Sequence, residues 1–309
     1  QPMSTSHADG TSTTLPAPAA SRGQKRSLRP GKAPHSPGAI IASVIIFIFL
    51  LIGVAPIISI ILGSLKTTTQ IVAEPLSLPN PIQFGNYARG WAGVAVGESM
   101  STYFINTVAF SLVSVAVSTV VGTMAAYAIA RSTSRMSTVF ERSFNLLYAL
   151  PYLAVIIPLF SITGTLGLRS NPLGIGLVFG AGWLFLTVVL MYGFFASFPL
   201  DVIEAAKTDG AGEIRIFWSQ VIPMSKGAIL SCVLLAFIYS WNNLSHTLPL
   251  LVDPKSTTVA PGLLLFSAQY SVDLGAQFAG IVISIVPLVL AYALMHKQLM
   301  ESFRVGSFR

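Results

Sequence analysis

Six long apolar runs, separated by shorter polar segments, organise this chain of 309 residues. The runs lie at about residues 40–62, 108–130, 144–166, 174–195, 229–251 and 278–295. Each is close to the roughly 20 residues that an α-helix needs to cross the hydrocarbon core of a bilayer. Pro56 predicts a bend in the first run, because proline removes a backbone donor. The pattern predicts an all-α integral membrane protein with six transmembrane helices.

Composition supports this fold class. Hydrophobic residues make up 53% of the chain and charged residues only 9%, whereas a soluble domain has about 25% charged residues. The six runs contain no Asp, Glu, Lys or Arg. This argues against a proton-coupled carrier, which needs an ionisable relay inside the membrane. The single cysteine, Cys232, lies in an apolar run and is expected to be a buried small hydrophobe.

The two ends of the chain are polar. Residues 1–38 are rich in Ser, Thr, Pro, Ala and Gly, so we expect a disordered tail that cannot bury enough apolar surface to fold. The run at 40–62 is too long for the apolar part of a signal peptide and lacks a small-residue cleavage site. The domain organisation predicted is a tail at 1–38, a membrane domain at 39–300 and a terminal segment at 301–309.

Basic residues predict the orientation. With the tail on the cytoplasmic side, 14 of the 18 Lys and Arg residues fall in cytoplasmic segments. The positive-inside rule therefore predicts that both termini are cytoplasmic. It also puts the polar segment at 198–227 in the cytoplasm. The net charge of +7 is thus explained by topology, and no nucleic-acid partner is expected.

The most informative polar stretch is EAAKTDGAGEIRIFWSQVIP, residues 204–223, called the EAA segment below. Asp201 is expected to cap a helix that carries Glu204 in its first turn. Gly210 is expected to end that helix, because glycine tolerates the left-handed conformation. Pro223 is expected to close a second short helix. That second helix is predicted to place three residues on one face: Ile214, Phe217 and Val221.

The EAA segment resembles the EAA loop of ABC-importer permeases. In that family the loop is a coupling helix that docks into a cleft of the cytoplasmic ATPase. The positions implied here are Glu204, Ala205, Ala206, Asp209, Gly210, Ala211 and Pro223. The segment departs from the family at Gln220, where an aliphatic residue is usual, and at Lys226, near a common second proline. The alternative is an ordinary amphipathic loop helix.

Further motifs resemble the maltose-type carbohydrate subfamily, and the likeness covers about residues 40–300. They are Asn106-Thr107, the AAYA at 125–128 followed by Arg131, Phe194-Phe195 with Pro199, and Trp241-Asn242. Asn243 replaces the acidic residue of the subfamily's Trp-Asn-Glu signature, and the end at 303–309 lacks its glycine-rich ending. The resemblance implies the type I ABC-importer permease fold in a bacterial cytoplasmic membrane.

The resemblance also implies partners. These are a second homologous permease, a dimeric nucleotide-binding ATPase and an extracytoplasmic solute-binding (lipo)protein, with membrane lipid around them. The sequence has no phosphate-binding Gly-x-x-x-x-Gly-Lys-Ser/Thr loop. We therefore expect a transport subunit rather than an enzyme, without a cofactor of its own, with ATP and Mg²⁺ bound by the ATPase. His246 has no metal-ligand spacing around it, so no metal is expected.

Sugars are held by aromatic faces together with amide and hydroxyl groups. Residues of these types in the fourth and fifth runs are candidates for the substrate path: Tyr192, Tyr239, Ser240, Trp241, Asn242 and Asn243. Helix packing and gating is the alternative role for them.

The function expected is import of a carbohydrate, a di- or oligosaccharide, by alternating access. Two alternatives remain open at this stage. One is the same machine carrying a glycerol phosphodiester or a polyol, and the other is a carrier or membrane scaffold that does not use ATP.

Overall fold

The computed structural model describes residues 37–93, 98–149, 152–265 and 273–306, and every regular element among them is helical. The α-helices are α1 (Pro37–Gly63), α2 (Thr68–Ala73), α3 (Gly85–Ala92), α4 (Met100–Arg131), α5 (Arg135–Ala149), α6 (Ile156–Thr165), α7 (Pro172–Ala196), α8 (Leu200–Thr208), α9 (Glu213–Ile216), α10 (Ile222–Met224), α11 (Lys226–Trp241), α12 (Thr247–Leu250), α13 (Val259–Leu265) and α14 (Leu274–Gly306). Short 3-10 helices lie at Tyr152–Val155 and Pro254–Ser256, and a π-helical segment lies at Phe217–Val221. The chain divides into two compact units, residues 1–52 and 53–309, so the division falls inside α1.

Four of the described helices are long and apolar enough to cross a membrane: Gly38–Gly63, Met100–Arg131, Pro172–Ala196 and Leu274–Lys297. They contain the predicted first, second, fourth and sixth spans. Pro56 lies inside α1, and the bend there stays a prediction. Most of the predicted tail, residues 1–36, and the last three residues of the predicted end, 307–309, lie outside the described residues.

The predicted third span at residues 144–166 is not one continuous α-helix. The structure has α5, a 3-10 turn and then α6 in this stretch. Pro158 lies in the first turn of α6. Backbone N–H groups there have no acceptor within the helix, so the N–H that proline lacks is not missed. A helix that continued from α5 would need that donor, so the break is favoured.

The predicted fifth span at residues 229–251 is interrupted as well. α11 ends at Trp241, and an irregular stretch separates it from α12. The side chain of Asn243 accepts the backbone N–H of His246 at 3.0 Å, a local bond that competes with helix formation. At its other end, α11 pairs with residues 213–224 across a bend of 78°, and this bent pair is the candidate for a fifth span.

The closest helix packing is between α4 and α7. A Cβ on Gly176 would lie 2.7 Å from the backbone oxygen of Phe110, and one on Gly180 would lie 2.8 Å from that of Ser114. Ser114 Oγ also donates to the backbone oxygen of Gly176 at 3.0 Å. Small residues allow two backbones to approach where no hydrophobic effect drives helices together. α4 and α7 are therefore held at a fixed distance.

The segment between α1 and α4 is fastened to α14 by polar contacts. Lys66 is buried and donates to the backbone oxygens of Glu74 and Pro75, at 2.9 and 3.0 Å. Asn86, also buried, donates to the backbone oxygen of Lys66 at 2.8 Å. Arg89 forms an ion pair of 2.7 Å with Asp273, the residue before α14. The Lys66 and Asn86 bonds hold the segment together, and the Arg89–Asp273 pair joins α3 to the start of α14.

Candidate functional site

The first half of the EAA segment forms the end of α8 and the turn after it. Asp201 does not cap this helix as predicted, because α8 begins at Leu200 and Asp201 lies within its first turn. Glu204 and Ala205 are exposed, whereas Ala206 is half-buried. Gly210 has φ +79°, so it ends the helix in the left-handed conformation as expected.

In the second half of the EAA segment, the set of buried side chains differs from the one predicted. Phe217 and Val221 are buried as expected, but Ile214 is 79% exposed and Ile216 is buried in its place. The reason is that α9 has only four residues and is followed by a π-helical segment, in which Ile222 N–H donates to the oxygen of Phe217. The i→i+5 bonding of a π-helix shifts the side chains relative to an α-helical pattern.

Pro223 does not end the second helix either. It is exposed within α10, which continues to Met224, and the chain bends at Ser225 before α11. Asp209, at the C-cap of α8, is exposed, and Ala211 is half-buried. The predicted coupling residues therefore form one continuous part of the structure, some facing outward and some facing the protein.

A buried apolar cluster packs against the inner side of the EAA segment. Its members come from the segment and its flanks and from α4, α7 and α11: Ala126, Tyr127, Val188, Met191, Phe195, Phe198, Ile203, Ile216, Phe217, Val221 and Cys232. Full burial of one large apolar side chain contributes roughly 1.5–3 kcal/mol. The contribution of Ile203, Ile216 and Phe217 therefore attaches the EAA segment firmly to three helices.

Arg131, the last residue of α4, fastens this cluster electrostatically. Its Nη2 donates to the backbone oxygen of Phe195 at 2.7 Å, near the end of α7. Its guanidinium carbon lies 6.0 Å from the ring centre of Tyr127 and 5.9 Å from that of Phe198. The cation is thus at the C-terminal ends of two helices, where their dipoles favour positive charge, and beside two aromatic faces.

An ion pair closes the turn of the EAA segment. Lys207 Nζ lies 2.6 Å from Glu213 Oε1, and both side chains are more than half exposed. The hydrogen bond to the Glu213 carboxylate, together with its charge, raises the pKa of the Lys207 ammonium. Solvent screens an exposed pair of this kind, so it contributes little to stability.

The outer surface of the EAA segment is partly apolar. Ile214 and Trp218 are exposed side by side with charged residues around them. They line a surface depression of about 800 Å³ with Gly212, Glu213, Arg215 and Ser219. Exposed large apolar side chains among charges are typical of a surface that binds another protein.

The predicted substrate-path residues do not form one group. Trp241 is only 4% exposed, and its Nε1 donates to the backbone oxygen of Ser284 in α14 at 3.0 Å. Ser240 is buried, and its hydroxyl donates to the backbone oxygen of Phe237 at 3.1 Å. Asn242 is exposed, and its side-chain Nδ2 donates to the backbone oxygen of Ile238 at 2.9 Å. These three side chains are engaged in contacts within the protein.

The other three candidates lie apart from that group. Tyr192 is half-buried near the end of α7, and its hydroxyl donates to Glu141 Oε2 at 3.0 Å. Tyr239 is 54% exposed on α11. Asn243 follows α11 and lies close enough to His246 for a side-chain hydrogen bond, with Nδ2 and Nδ1 3.2 Å apart.

Sequence reasoning missed Trp183 of α7 and its neighbour Phe179. The ring centroids of Trp183 and Tyr239 are 4.5 Å apart with an interplanar angle of 34°. Phe179 stacks on Trp183 and meets the edge of His246 on its other side. The available signal was that Trp183 is the one tryptophan in α7. Among the residues that the structure describes, no cluster of His, Cys, Asp or Glu could hold a metal ion.

Comparison with known proteins agrees with this geometry. The family model described as binding-protein-dependent transport system inner membrane component matches residues 118–299, which include the EAA segment and the helices that support it. The chain is 30% identical to the diacetylchitobiose uptake system permease protein NgcG of Streptomyces coelicolor, over 88% of this chain and 89% of that protein. It is 26% identical to the trehalose transport system permease protein SugB of Mycobacterium tuberculosis, over 82% of this chain and 92% of that protein.

A solved structure is similar as well. It is a bacterial ABC transporter involved in the import of the acidic polysaccharide alginate, with a TM-score of 0.72 and 26% sequence identity. The match covers 85% of this chain and 96% of that chain. The chain therefore belongs to the family of inner membrane components of binding-protein-dependent transport systems. It is a multi-pass membrane protein and a transport subunit rather than an enzyme.

Proposed function

We propose that this chain is the permease subunit of an ATP-driven ABC importer that moves a di- or oligosaccharide across the bacterial cytoplasmic membrane by alternating access. The observation that carries the proposal is the match to NgcG, whose name specifies uptake of diacetylchitobiose, over nearly the whole of both chains. The names of SugB and of the alginate importer specify other glycans. No observation favours a polyol or a glycerol phosphodiester over a sugar.

In this proposal the EAA segment is the coupling helix that binds a separate, dimeric ATPase. Glu204, Ala205, Asp209 and Gly210 supply exposed positions on one side of the turn. Ala206 and Ala211 pack against the buried cluster below, and Pro223 shapes the chain before α11. ATP and Mg²⁺ are bound by the ATPase. A coupling element shifts an equilibrium only if its contacts differ between the two states.

The proposed topology retains six spans with both termini in the cytoplasm. α5 and α6 together make the third span, and α11 with α12 makes the fifth, beginning at the bend after the EAA segment. The domain limits are those predicted, with a cytoplasmic tail at 1–38, a membrane domain at 39–300 that contains the loop at 198–227, and a cytoplasmic end at 301–309. A second permease, a binding (lipo)protein and membrane lipid complete the assembly.

The substrate path in this proposal runs along α7 and α11. Tyr239 and Asn243 offer an exposed ring and an amide. Ser240, Trp241 and Asn242 act through the packing of α11, while Tyr192 lies nearer the EAA segment and suits a gating contact through Glu141.

The test is purification of the chain from its native membrane with its partners, followed by mass spectrometry. The proposal predicts an ATPase, a second permease and a binding protein that carries a bound saccharide. Isolation of the chain without an ATPase, even after crosslinking in the membrane, would contradict it. A binding protein loaded with a non-carbohydrate solute would contradict the substrate class and leave the importer intact.

A further inference from the structure

Residues 64–88, which follow α1, bury polar side chains and expose large apolar ones. Lys66 is only 1% exposed, and Ser64 and Asn86 are fully buried. The exposed apolar side chains are Val72, Leu76, Leu78, Ile82 and Phe84. Leu76 is 90% exposed. A segment surrounded by water has the opposite arrangement, with charged side chains outside and leucines inside.

Polar groups of this segment bond to one another. The Lys66 ammonium donates to two backbone oxygens of the segment, as described above. The backbone N–H of Gln83 donates to the oxygen of Leu65 at 2.9 Å, and the side chain of Gln70 donates to the backbone oxygen of Asn80. Transfer of a polar group into an apolar environment is costly only when the group has no hydrogen-bond partner. These internal bonds therefore lower the cost of placing the segment in contact with lipid.

The segment lies level with the first turns of a membrane-crossing helix. A Cβ on Gly275 would lie 2.8 Å from the backbone oxygen of Lys66, and one on Gly90 of α3 would lie 2.7 Å from that of Ala276. The membrane-crossing part of α14, Leu274–Lys297, has 24 residues. At 1.5 Å per residue it is about 36 Å long, slightly more than a hydrocarbon core of about 30 Å. Its first turns, and the segment beside them, therefore lie at the boundary between acyl chains and headgroups.

Lipid fits this surface better than a protein partner does. Residues 67–88 contain a single charged residue, Glu74. The outer surface of the EAA segment differs, because charged side chains surround its exposed apolar ones, and a protein interface has such a polar rim. The apolar surface also continues from the exposed side chains of the last turns of α1, which are Ile57, Ile58 and Ile61. The membrane-facing surface of α1 thus extends without a polar interruption towards the segment.

We propose that residues 64–88 form an interfacial anchor, which inserts its apolar side chains into the adjacent lipid leaflet instead of projecting into water. Acyl chains contact Leu76, Leu78 and Phe84, while the carboxylate of Glu74 stays among the headgroups. The anchor holds the end of α1 beside the start of α14. The inference does not depend on which solute is transported, and it leaves a binding protein to dock on other residues.

The test is electron paramagnetic resonance on the full-length chain, purified with its partners and reconstituted in liposomes. Cys232→Ala, with the cysteines of the partner proteins replaced by serine, leaves one site for a nitroxide label in each variant. The variants are Leu78→Cys and Phe84→Cys. Lys255→Cys is the matched control, because Lys255 is an exposed, charged residue of the loop between α12 and α13.

Collisions of each label are measured with oxygen, which concentrates in the bilayer, and with a nickel chelate, which stays in water. At Leu78 and Phe84 the ratio of oxygen to nickel collisions should be about tenfold higher than at Lys255, because an interfacial segment is buried by roughly 5–10 Å, where the chelate does not enter. Addition of the binding protein should leave the ratio at Leu78 and Phe84 unchanged.

Two results would contradict the anchor. A ratio at Leu78 and Phe84 equal to that at Lys255 would show that the segment lies in water, and a fall in nickel collisions when the binding protein is added would then make it a docking site for that protein. Few collisions with either reagent would show that another protein, such as a second permease, covers the surface.

Discussion

Along α7 and α11, aromatic side chains are buried at the end next to the EAA segment and exposed towards the other end. At the EAA segment, Phe195 and Phe217 are buried, and Arg131 donates to the backbone oxygen of Phe195. Near the opposite end of α11, Tyr239 is 54% exposed, two residues before the helix ends at Trp241. The buried cluster at the EAA segment makes that end move as one body with a bound partner. The exposed ring of Tyr239 can instead contact a small molecule. The same helices thus support a rigid surface at the EAA segment and carry an exposed ring at Tyr239.

The difference also shows what joins the two ends. Both regions depend on α7, and α7 is held to α4 by glycines that permit close backbone contact. Displacement of the EAA segment is therefore expected to move α4 and α7 together, because these two helices cannot easily slide past each other. The coupling depends on packing, with polar contacts added at the ends.

The largest expected effect comes from Gly180→Ala, which disturbs both ends at once. A Cβ there would lie 2.8 Å from the oxygen of Ser114, so α4 and α7 would have to separate. Overpacking of this kind costs roughly 1–3 kcal/mol. A lower thermal-unfolding temperature and a lower membrane yield are expected. Gly182→Ala is the control, because nothing lies within 4 Å of its Cβ position. Equal stability of the two variants would contradict the account of the helix pair.

Arg131→Ala alters only the end of the helices that lies next to the EAA segment. It removes the bond to Phe195 and leaves Tyr239 and the end of α11 unchanged. A hydrogen bond from a charged group contributes roughly 1.5–3 kcal/mol, so ATP hydrolysis and uptake should fall together by about tenfold or more. Arg131→Lys, which keeps the charge, should be intermediate. Arg135→Ala, at an exposed position of α5, should have no effect. Equal loss in the two alanine variants would argue against a specific role for Arg131.

Gly210→Ser tests the turn of the EAA segment alone. With φ +79°, Gly210 adopts a conformation that costs other residues roughly 1–2 kcal/mol. Stimulated ATP hydrolysis is expected to fall about tenfold. Gly210→Asn should be milder, because asparagine tolerates this conformation. Gly212→Ser is the matched control, since Gly212 has φ −73° and open space around it. Full activity of Gly210→Ser would contradict the requirement for this turn.

The smallest effect is expected from Glu213→Gln, which removes the exposed ion pair with Lys207. Stimulated ATP hydrolysis should change by less than about twofold, and less at high salt. The pKa of Lys207 is raised, so the pair's contribution is present below the ordinary lysine pKa of about 10.4 and lost only as the pH rises through the raised value. Activity of the original protein should therefore show no pH dependence from this pair between about pH 6 and 9. A large loss in Glu213→Gln would mean that Glu213 contacts the partner directly.

The apolar runs and the EAA segment could be predicted because each depends on local chemistry. Long stretches without charge indicate helices in lipid, and a glycine after α8 marks the helix end. The burial of Cys232 also followed from its apolar surroundings. These features need no knowledge of which helices are neighbours.

The features that the sequence did not reveal have a common cause in contacts between segments. Ile214 and Ile216 exchange roles because a π-helical segment follows α9, and no simple periodicity reveals it. Trp241 has the residue type of a sugar contact but is buried against α14. Trp183 was missed because its role depends on Tyr239, which is distant in sequence. Packing decides which aromatic residues remain open.

The most direct measurement is site-specific crosslinking from the EAA segment in the assembled transporter. The sole cysteine, Cys232, is buried, so Ala205→Cys introduces one reactive thiol on the exposed surface. A benzophenone attached there and activated by light should capture the ATPase subunit, with a yield that changes when ATP is added. The same probe at Ala181→Cys, an exposed position within α7, should not capture the ATPase. Capture of the ATPase from Ala181→Cys, or none from Ala205→Cys, would contradict the assignment of the EAA segment as the coupling element.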